Sequence, residues 1–414
     1  MISSTVKMKG RKQRIRDRVL DEIPAGGEIT DDELWQLIER TVEEEARQDY
    51  MRLEEKRMLR HSIFNSIRKM DVLQDILEDE DVTEIMVNGP EHIFVEREGA
   101  IVETGIQFEH RGRLEDIVQQ IASAGNRIVN ESNPILDARL EDGSRVNIVL
   151  PPIAIEGPVI TIRKFPKEAM TMKTLIDSGA VTEEVRDFLA KLVRAKYNIF
   201  ISGGTGAGKT TFLNILSNFI PRHERVITIE DSAELQIRNI DNLVRLEARN
   251  ANVEGKNEVT IRELVKSALR MRPDRIIVGE IRDSAAIDLL SAMNTGHDGS
   301  LSTGHANSPA DMLNRLETLV LMGLDIPLAA VRRQISSALD IMVHLGRLRD
   351  KSRRVLEVSE VGGIEDGRIQ VYPIYRFEEE GEEGGRVIGQ LKATGHQLSD
   401  TIKCQRAGFS SEGG

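Results

Sequence analysis

One segment of the chain has the residue types and the spacing needed to bind phosphate. Residues 203 to 210 read Gly-Gly-Thr-Gly-Ala-Gly-Lys-Thr and match the pattern G-x-x-x-x-G-K-[ST]. The glycines let the backbone curl tightly, so that several peptide N–H groups point at phosphate oxygens. Lys209 is expected to reach the β and γ phosphates, and the Thr210 hydroxyl is placed to ligate Mg²⁺. The sequence therefore predicts a nucleoside triphosphate site whose binding residues are Gly203, Gly204, Thr205, Gly206, Ala207, Gly208, Lys209, Thr210 and Thr211.

Two acidic residues follow apolar runs further along the chain. Val226-Ile-Thr-Ile runs into Glu230, and Ile276-Ile-Val-Gly runs into Glu280. In a parallel sheet both strands would end at the edge that also carries the phosphate-binding loop. Hydrolysis needs a group that orients water and groups that offset developing charge, and these carboxylates suit both tasks. The alternative for each is an acidic helix cap or a solvated turn.

Two of the eight histidines, His297 and His305, flank a short apolar strand at residues 301 to 303. A histidine at a strand end near a nucleotide can hydrogen-bond the γ-phosphate or couple it to a neighbouring subunit. A zinc site is not supported, because no third ligand keeps the spacing of a metal site. The alternative is a pair of ordinary polar histidines.

The surrounding elements fit this chemistry. From residue 182 to 395 helical and apolar strand patterns alternate, which predicts a parallel sheet covered by helices. Residues 197 to 202 form the strand before the loop, and the helix after it begins near Lys209. Further strands are predicted at residues 226–229, 243–246, 276–278, 301–303 and 341–345, with peripheral strands beyond residue 356 and an acidic loop at residues 378–383.

The first part of the chain differs in charge and in hydrophobic pattern. Residues 1 to 70 are predicted to be a basic arm and a helical extension, in which Leu34, Leu37, Ile38 and Val42 repeat at helical spacing. The arm is interpreted as a disordered, solvated tail, or as a segment attracted to an anionic membrane or an acidic partner. Residues 71 to 165 are predicted to form an α+β domain, residues 166 to 181 a linker, and residues 396 to 414 a tail.

Composition excludes several classes of protein. The 414 residues carry a formal charge of −12, and only 4% of them are aromatic, so a nucleic-acid groove is not expected. The single cysteine, Cys404, excludes an internal disulfide and a cysteine-based zinc cluster, and fits a reducing cytosol. No apolar run approaches the roughly 18 residues typical of a membrane-spanning helix.

Taken in order, these segments resemble the secretion ATPases of the type II/type IV superfamily. The loop at 203–210, Thr228-Ile-Glu230-Asp231, Met271 to Glu280, and Thr295 to Asn307 look like that family's Walker A, Asp box, Walker B and His box. The closer resemblance is to the CpaF/TadA-like branch, which assembles tight-adherence (Flp) pili. It rests on Asn133 to Arg139, Asp142 to Asn147 and Thr161 to Phe165.

The resemblance implies an α/β fold with a RecA-like P-loop domain, preceded by an α+β (PAS-like) N-terminal domain. It further implies a homo-hexameric ATPase, using ATP and Mg²⁺, that acts on an inner-membrane platform protein from the cytoplasmic face. No specific nucleic acid is expected as a partner.

The resemblance also assigns roles to individual residues. Glu230 would orient the attacking water, Glu280 would hold Mg²⁺ through water or assist the base, and His305 would act in catalysis. Phosphate-facing groups would come from five arginines and one histidine, namely Arg139, Arg145, Arg163, Arg270, Arg272 and His297. Alternatives are a RecA-like nucleic-acid translocase and a nucleotide switch that does not hydrolyse. A transporter subunit would need an LSGGQ-type helix start, which the sequence lacks.

Overall fold

Two units make up the fold of the chain in the computed structural model, Met1–Lys167 and Glu168–Gly414. The structure describes residues 2–23, 29–97, 99–165, 170–249 and 257–409. Among these residues, no helix combines the length and the apolar character needed to cross a membrane.

The first unit begins with four helices, α1 (Ile2–Glu22), α2 (Asp31–Gln48), α3 (Leu53–Arg68) and α4 (Val72–Glu78). The first three pack around a small apolar core, and α4 packs into the core of the sheet that follows. Thr30 and Glu33 form a capping box that starts α2, which satisfies backbone donors that the first turn leaves free. Leu34, Ile38 and Val42 are fully buried, so the predicted apolar stripe is confirmed.

The basic arm is helical from its start, and the prediction of a disordered tail is wrong for residues 10 to 22. Ile15 and Val19 are fully buried in the helical core. Acidic residues of α2 and of other parts of the unit contact the basic side chains, as in the 2.7 Å contact between Arg18 Nη2 and Glu44 Oε2 and the 3.0 Å contact between Lys12 Nζ and Asp71 Oδ1. This neutralisation lets a strongly basic segment pack against the rest of the unit.

The remainder of the first unit is an antiparallel six-stranded sheet with one helix, α5 (Arg111–Ala124). The sheet order is β3-β2-β1-β6-β5-β4. Along β5 and β6, alternate residues such as Val146 and Ile160 enter the core, and the residues between them lie on the other face. The strands are β1 (Val82–Asn88), β2 (His92–Arg97), β3 (Ala100–Glu103), β4 (Ile135–Arg139), β5 (Arg145–Val149) and β6 (Val159–Arg163).

The second unit contains a nine-stranded sheet in the order β15-β14-β13-β12-β7-β11-β10-β8-β9. The six strands from β12 to β9 in that order are parallel, and the other three pair antiparallel. The strands are β7 (Ile199–Gly203), β8 (Arg225–Glu230), β9 (Asn242–Glu247), β10 (Arg275–Val278), β11 (Leu301–His305), β12 (Ile341–Arg347), β13 (Arg353–Glu365), β14 (Arg368–Glu383) and β15 (Arg386–Ala393). The parallel strands predicted from apolar runs are all confirmed.

Helices cover both faces of this sheet. On β7, Ile199 and Ile201 join the core shared with α7 and α8, and Phe200 joins the core shared with α9 to α12. The alternation explains why the strand reads as a continuous apolar run. The helices are α6 (Met172–Asp177), α7 (Glu183–Arg194), α8 (Lys209–Ser217), α9 (Ile261–Ala268), α10 (Ala285–Asn294), α11 (Pro309–Leu321), α12 (Leu328–Ala338) and α13 (Ile402–Arg406). The result is a mixed α/β fold, as predicted; α6 lies in the span predicted to be a linker.

The acidic run at residues 378 to 383 is part of β14, so the prediction of an acidic loop there is wrong. β14 pairs with β15 along this run. The charges are offset from two sides, since Arg349 contacts Glu379 and Lys392 contacts Glu380. Cross-strand pairing and these ion pairs hold the acidic residues in a strand.

Candidate active site

The phosphate-binding loop spans the gap between β7 and α8, in the predicted position. Gly208 caps α8 with a left-handed backbone (φ +91°), a conformation that favours glycine. At Gly203, a Cβ atom would lie 2.5 Å from the carbonyl oxygen of Leu345 on β12. Glycine at position 203 therefore allows the neighbouring strand to approach the loop, while residues 204 to 206 remain exposed to a ligand.

Lys209 is a buried cation at the first position of α8. Its side chain is 6% exposed, and its Nζ donates a hydrogen bond to the Gly204 carbonyl at 2.9 Å. In the part of the chain that the structure describes, no carboxylate oxygen lies within 4 Å of Nζ. Burial lowers the pKa of Lys209, because the charged form loses hydration. A phosphate at the N-terminus of α8 would supply the missing negative charge.

Glu280 lies two residues beyond β10, and its two oxygens differ in their contacts. Arg282 Nη2 donates to Glu280 Oε2 at 2.8 Å. His305 Nε2 lies 3.0 Å from Oε1, but Oε1 has no hydrogen-bond partner among the described residues. Burial alone would raise the pKa of Glu280, but the hydrogen bond and charge of Arg282 outweigh it and the pKa lies below the ordinary value. Glu280 is therefore held as an anion.

His305, at the end of β11, lies between Lys209 and Glu280. Its Nδ1 is 3.2 Å from Lys209 Nζ. Burial lowers the pKa of His305, and the charge of Lys209 lowers it further against the opposing effect of Glu280. The ring is therefore neutral at neutral pH and joins the loop lysine to the β10 carboxylate.

Glu230 closes β8 and is 3% exposed. Its Oε1 accepts hydrogen bonds from the backbone N–H groups of Glu234 (2.8 Å) and Leu235 (3.0 Å). The other oxygen, Oε2, is buried and has no hydrogen-bond partner among the described residues. Burial raises the pKa of Glu230 despite the two backbone hydrogen bonds. An unpartnered carboxylate oxygen with a raised pKa is what a general base needs to bind water and take its proton.

The two glutamates lie on adjacent strands and differ in electrostatics. A Cβ at Gly279, the residue before Glu280, would lie 2.9 Å from Glu230 Cγ. Their pKa values are shifted in opposite directions, upward at Glu230 and downward at Glu280. In such a pair, Glu230 can accept a proton while Glu280 stays ionised, so the two carboxylates can have different roles in one site.

Three of the candidate arginines lie side by side in the first unit. Arg139 on β4 pairs in register with Arg145 on β5, which pairs with Arg163 on β6. Directly opposed residues of an antiparallel pair lie on the same face, about 5 Å apart at Cβ. Arg163 also pairs in register with Glu84 on β1, so the row places three basic side chains beside one carboxylate.

The structure does not bring the remaining candidates to the loop of the same chain. His297 precedes β11, and Arg270 and Arg272 precede β10, so all three lie at the amino edge of the parallel sheet. The loop and His305 lie at the carboxyl edge. The two edges are separated by the length of β11, five residues or roughly 16 Å.

Sequence reasoning missed three residues that contact the site. Arg282 donates a hydrogen bond to Glu280, and its position two residues after that glutamate could have identified it from the sequence. Arg353 Nε donates to the Gly206 carbonyl at 2.9 Å, and nothing local marks this arginine. On β12, Nδ1 of His344 lies 2.9 Å from the Ser202 hydroxyl oxygen. A polar residue within an apolar run could have identified this histidine from the sequence.

Comparison with known proteins points to one family. Residues 66–406 match the family model described as type II/IV secretion system protein. A putative conjugal transfer protein of Mycobacterium tuberculosis is 36% identical over 73% of this chain and 87% of its own length. The type IV secretion system protein VirB11 of Bartonella henselae is 31% identical over 69% of this chain and 90% of its own length.

The fold is also similar to that of a solved structure, the pilus retraction motor PilT with bound ADP. The TM-score is 0.51 and the sequence identity is 16%, over 82% of this chain and 87% of the other. These matches do not support the alternative of a nucleic-acid translocase.

Proposed function

Since the chain belongs to the type II/IV secretion system protein family, we propose that it binds ATP at residues 203–211 and hydrolyses it to drive a secretion or pilus machine. The observation that carries this proposal is the buried Lys209, which lies at a helix N-terminus without a carboxylate partner among the described residues. Its neighbours at the same edge are His305 and two glutamates of opposite pKa shift. A triphosphate would complete this arrangement of charges.

Each group has a distinct task in hydrolysis. Glu230 binds the attacking water at its free oxygen and takes its proton, which its raised pKa favours. Lys209 and the loop amides hold the phosphates and offset charge on the oxygens. His305, neutral, accepts a hydrogen bond from Lys209 at Nδ1 and turns Nε2 toward Glu280, so it positions both groups beside the phosphates.

The donor set also fits a magnesium ion bound together with the nucleotide. Mg²⁺ usually takes one or two protein ligands and completes its shell with phosphate oxygens and water. Thr210 and Glu280 would hold it here, and the ion supplies positive charge that offsets the phosphates.

The arginine row of the first unit is proposed to supply phosphate-facing groups. Arg139, Arg145 and Arg163 would then offset charge on the transferring phosphoryl group. The nucleotide of a neighbouring subunit is proposed to contact three residues at the other edge of the sheet, His297, Arg270 and Arg272. This part of the proposal requires an assembly.

The wider assignments rest on family membership and on the resemblance of the motifs. We propose a homo-hexamer of the CpaF/TadA-like branch, at the cytoplasmic face of the inner membrane, that works on a platform protein of a Flp-type pilus. The RecA-like and PAS-like assignments belong to this proposal, as do domain boundaries at residues 70, 165, 181 and 395.

The test is phosphate release from Mg-ATP by the full chain and by Lys209→Ala. We expect release by the parent protein and loss of at least about 100-fold in the variant, since the loop loses its only buried cation among the described residues. Lys173→Ala is the matched control, because that lysine is on the surface of α6 and pairs only with Asp177 among described residues. Equal release by the parent and Lys209→Ala contradicts the proposal.

A further inference from the structure

Asn214 is an unexpected residue in the helix that follows the phosphate-binding loop. α8 reads Lys209-Thr-Thr-Phe-Leu-Asn-Ile-Leu-Ser217, and Asn214 is its one amide side chain. Asparagine has a lower helix propensity than alanine, because its side chain competes for backbone hydrogen bonds. A residue that departs from the local preference of its element is expected where function requires it.

The side chain of Asn214 holds the irregular segment that follows β8, residues 231–236. Its Oδ1 accepts a hydrogen bond from the backbone N–H of Gln236 at 2.9 Å, across 22 positions of the chain. Leu235, in the same segment, is 1% exposed and belongs to the apolar core that includes Phe212 and Leu213 of α8. The 231–236 segment is therefore fastened to α8 by one hydrogen bond and by one buried side chain.

Three consecutive backbone N–H groups of this segment connect α8 to Glu230. Those of Glu234 and Leu235 donate to Glu230 Oε1 at 2.8 and 3.0 Å. The next one, of Gln236, donates to Asn214. Because peptide units are planar and stiff, holding the third of these groups in place also restricts the first two. Asn214 therefore acts on Glu230 through the backbone between them.

The position of Oε1 determines where the other oxygen of Glu230 points. With Oε1 held by two donors, rotation of the carboxyl group is restricted, and Oε2 keeps one position in the buried site. Gly279 leaves room for the side chain, since a Cβ there would lie 2.9 Å from Glu230 Cγ. A water molecule bound at Oε2 has a defined place relative to the phosphates only while this orientation is kept.

We propose that Asn214 is a positioning residue that fixes the 231–236 segment, and through it the orientation of the Glu230 carboxylate, relative to α8. It touches no reacting atom. The inference rests on the proposed ATPase function. The helix that begins with Lys209 also carries Asn214, so one element sets the positions of the loop cation and of the base.

Kinetics of substituted proteins test this role. In Mg-ATP hydrolysis, Asn214→Ala should lower kcat about 10-fold and change KM less than twofold, because displacement of a catalytic group affects the rate more than binding. Asn214→Asp keeps an acceptor at the same place and should recover most of this loss at a pH where Glu230 is ionised. Asn214→Gln moves the acceptor by one methylene and should also lower kcat, which keeps the test valid if Asn214→Ala fails to fold.

The matched control is Asn218→Ala. Asn218 is the same residue type at the end of the same helix, is half-buried like Asn214, and donates its side-chain hydrogen bond within α8, to the Asn214 carbonyl. This variant should keep the parent kcat. Equal kcat in the parent and in folded Asn214→Ala and Asn214→Gln would overturn the proposal, as would equal losses in Asn214→Ala and Asn218→Ala.

Two further measurements separate a positioning role from a purely structural one. The two backbone hydrogen bonds on Oε1 lower the pKa of Glu230 against the effect of burial. Loosening the segment weakens them, so the acid limb of the kcat–pH profile should move to higher pH in Asn214→Ala and stay in place in Asn218→Ala. The charged groups that act on Glu230, which are Glu234 and Arg245 on β9, are the same in both variants. Adding Asn214→Ala to Glu230→Gln should cause no further loss in single-turnover rate, and losses that multiply or an unmoved acid limb would overturn the proposal.

Amide hydrogen exchange separates this inference from the proposed function. In the parent protein the amides of residues 234–236 should be protected, since each is hydrogen-bonded. All three should exchange at least about 10-fold faster in Asn214→Ala and at the parent rate in Asn218→Ala. Unprotected amides in the parent, or acceleration confined to Gln236, overturn the inference whether or not ATP is hydrolysed. The expected exchange in a protein that releases no phosphate would refute the ATPase assignment and the role of Asn214 in it.

Discussion

Replacement of Glu230 by glutamine should make the protein slightly more stable and nearly inactive. The amide has the shape of the carboxyl group, and its oxygen can still accept the backbone hydrogen bonds of Glu234 and Leu235. What the substitution removes is the charge and the ability of Oε2 to take a proton. The two effects have opposite signs because the site buries a carboxylate for chemistry and not for stability.

The expected change in stability follows from the direction of the pKa shift. Burial raises the folded-state pKa of Glu230, so the ionised group at pH 7 disfavours folding relative to the unfolded chain. Removing the charge should raise the free energy of unfolding by up to about 1 kcal/mol, or about 2–4 °C in melting temperature. Loss of a general base lowers turnover by about 10²- to 10⁴-fold.

Three measurements on Glu230→Gln test these expectations. Phosphate release should fall by that factor, thermal unfolding should shift upward or stay constant, and ATP should bind and remain bound unhydrolysed. Turnover at the parent rate would show that Glu230 is not the base. A large loss of stability would show that the ionised carboxylate is needed for folding, which contradicts the pKa argument.

Two other substitutions test separate parts of the account. Arg163→Ala should lower turnover about 10-fold or more and change ATP affinity less than twofold, while the exposed Arg111→Ala on α5 changes neither; unaltered turnover would remove Arg163 from the site. Burial opposes ionisation of Glu360, but backbone donors from Ser399 and Asp400 lower its pKa below the ordinary value. The ionised Glu360 therefore stabilises the folded state above the ordinary glutamate pKa, and this contribution is lost as the pH falls through its lowered folded-state pKa. Glu360→Gln should cost about 1–2 kcal/mol of unfolding free energy at pH 7 and little in acid. The same difference in urea unfolding at both pH values would refute this assignment.

The loop and the strand ends could be predicted because their signals are local. Four motif positions at fixed spacing, Gly203, Gly208, Lys209 and Thr210, define the loop, and β8 and β10 are short apolar runs that end near acidic residues. Once a parallel sheet is predicted, Glu230 and Glu280 must meet at its carboxyl edge. The structure adds what spacing cannot give, which is the difference in electrostatic environment between them.

Other features of the structure depend on contacts between residues that are distant in sequence. His297 and His305 look equivalent in sequence, but they flank one strand and therefore lie at opposite edges of the sheet. The acidic run is a strand because Arg349 and Lys392, distant in sequence or on another strand, offset its charge. His344 was missed because a single histidine in a strand has no meaning until its partners are known.

The most direct test of the account is calorimetric titration of the full chain with Mg-ATP. The account predicts saturable binding by the parent protein and none by Lys209→Ala at the same concentrations. Absence of binding by the parent protein, or equal binding by the parent and Lys209→Ala, would contradict the claim that residues 203–211 bind a triphosphate.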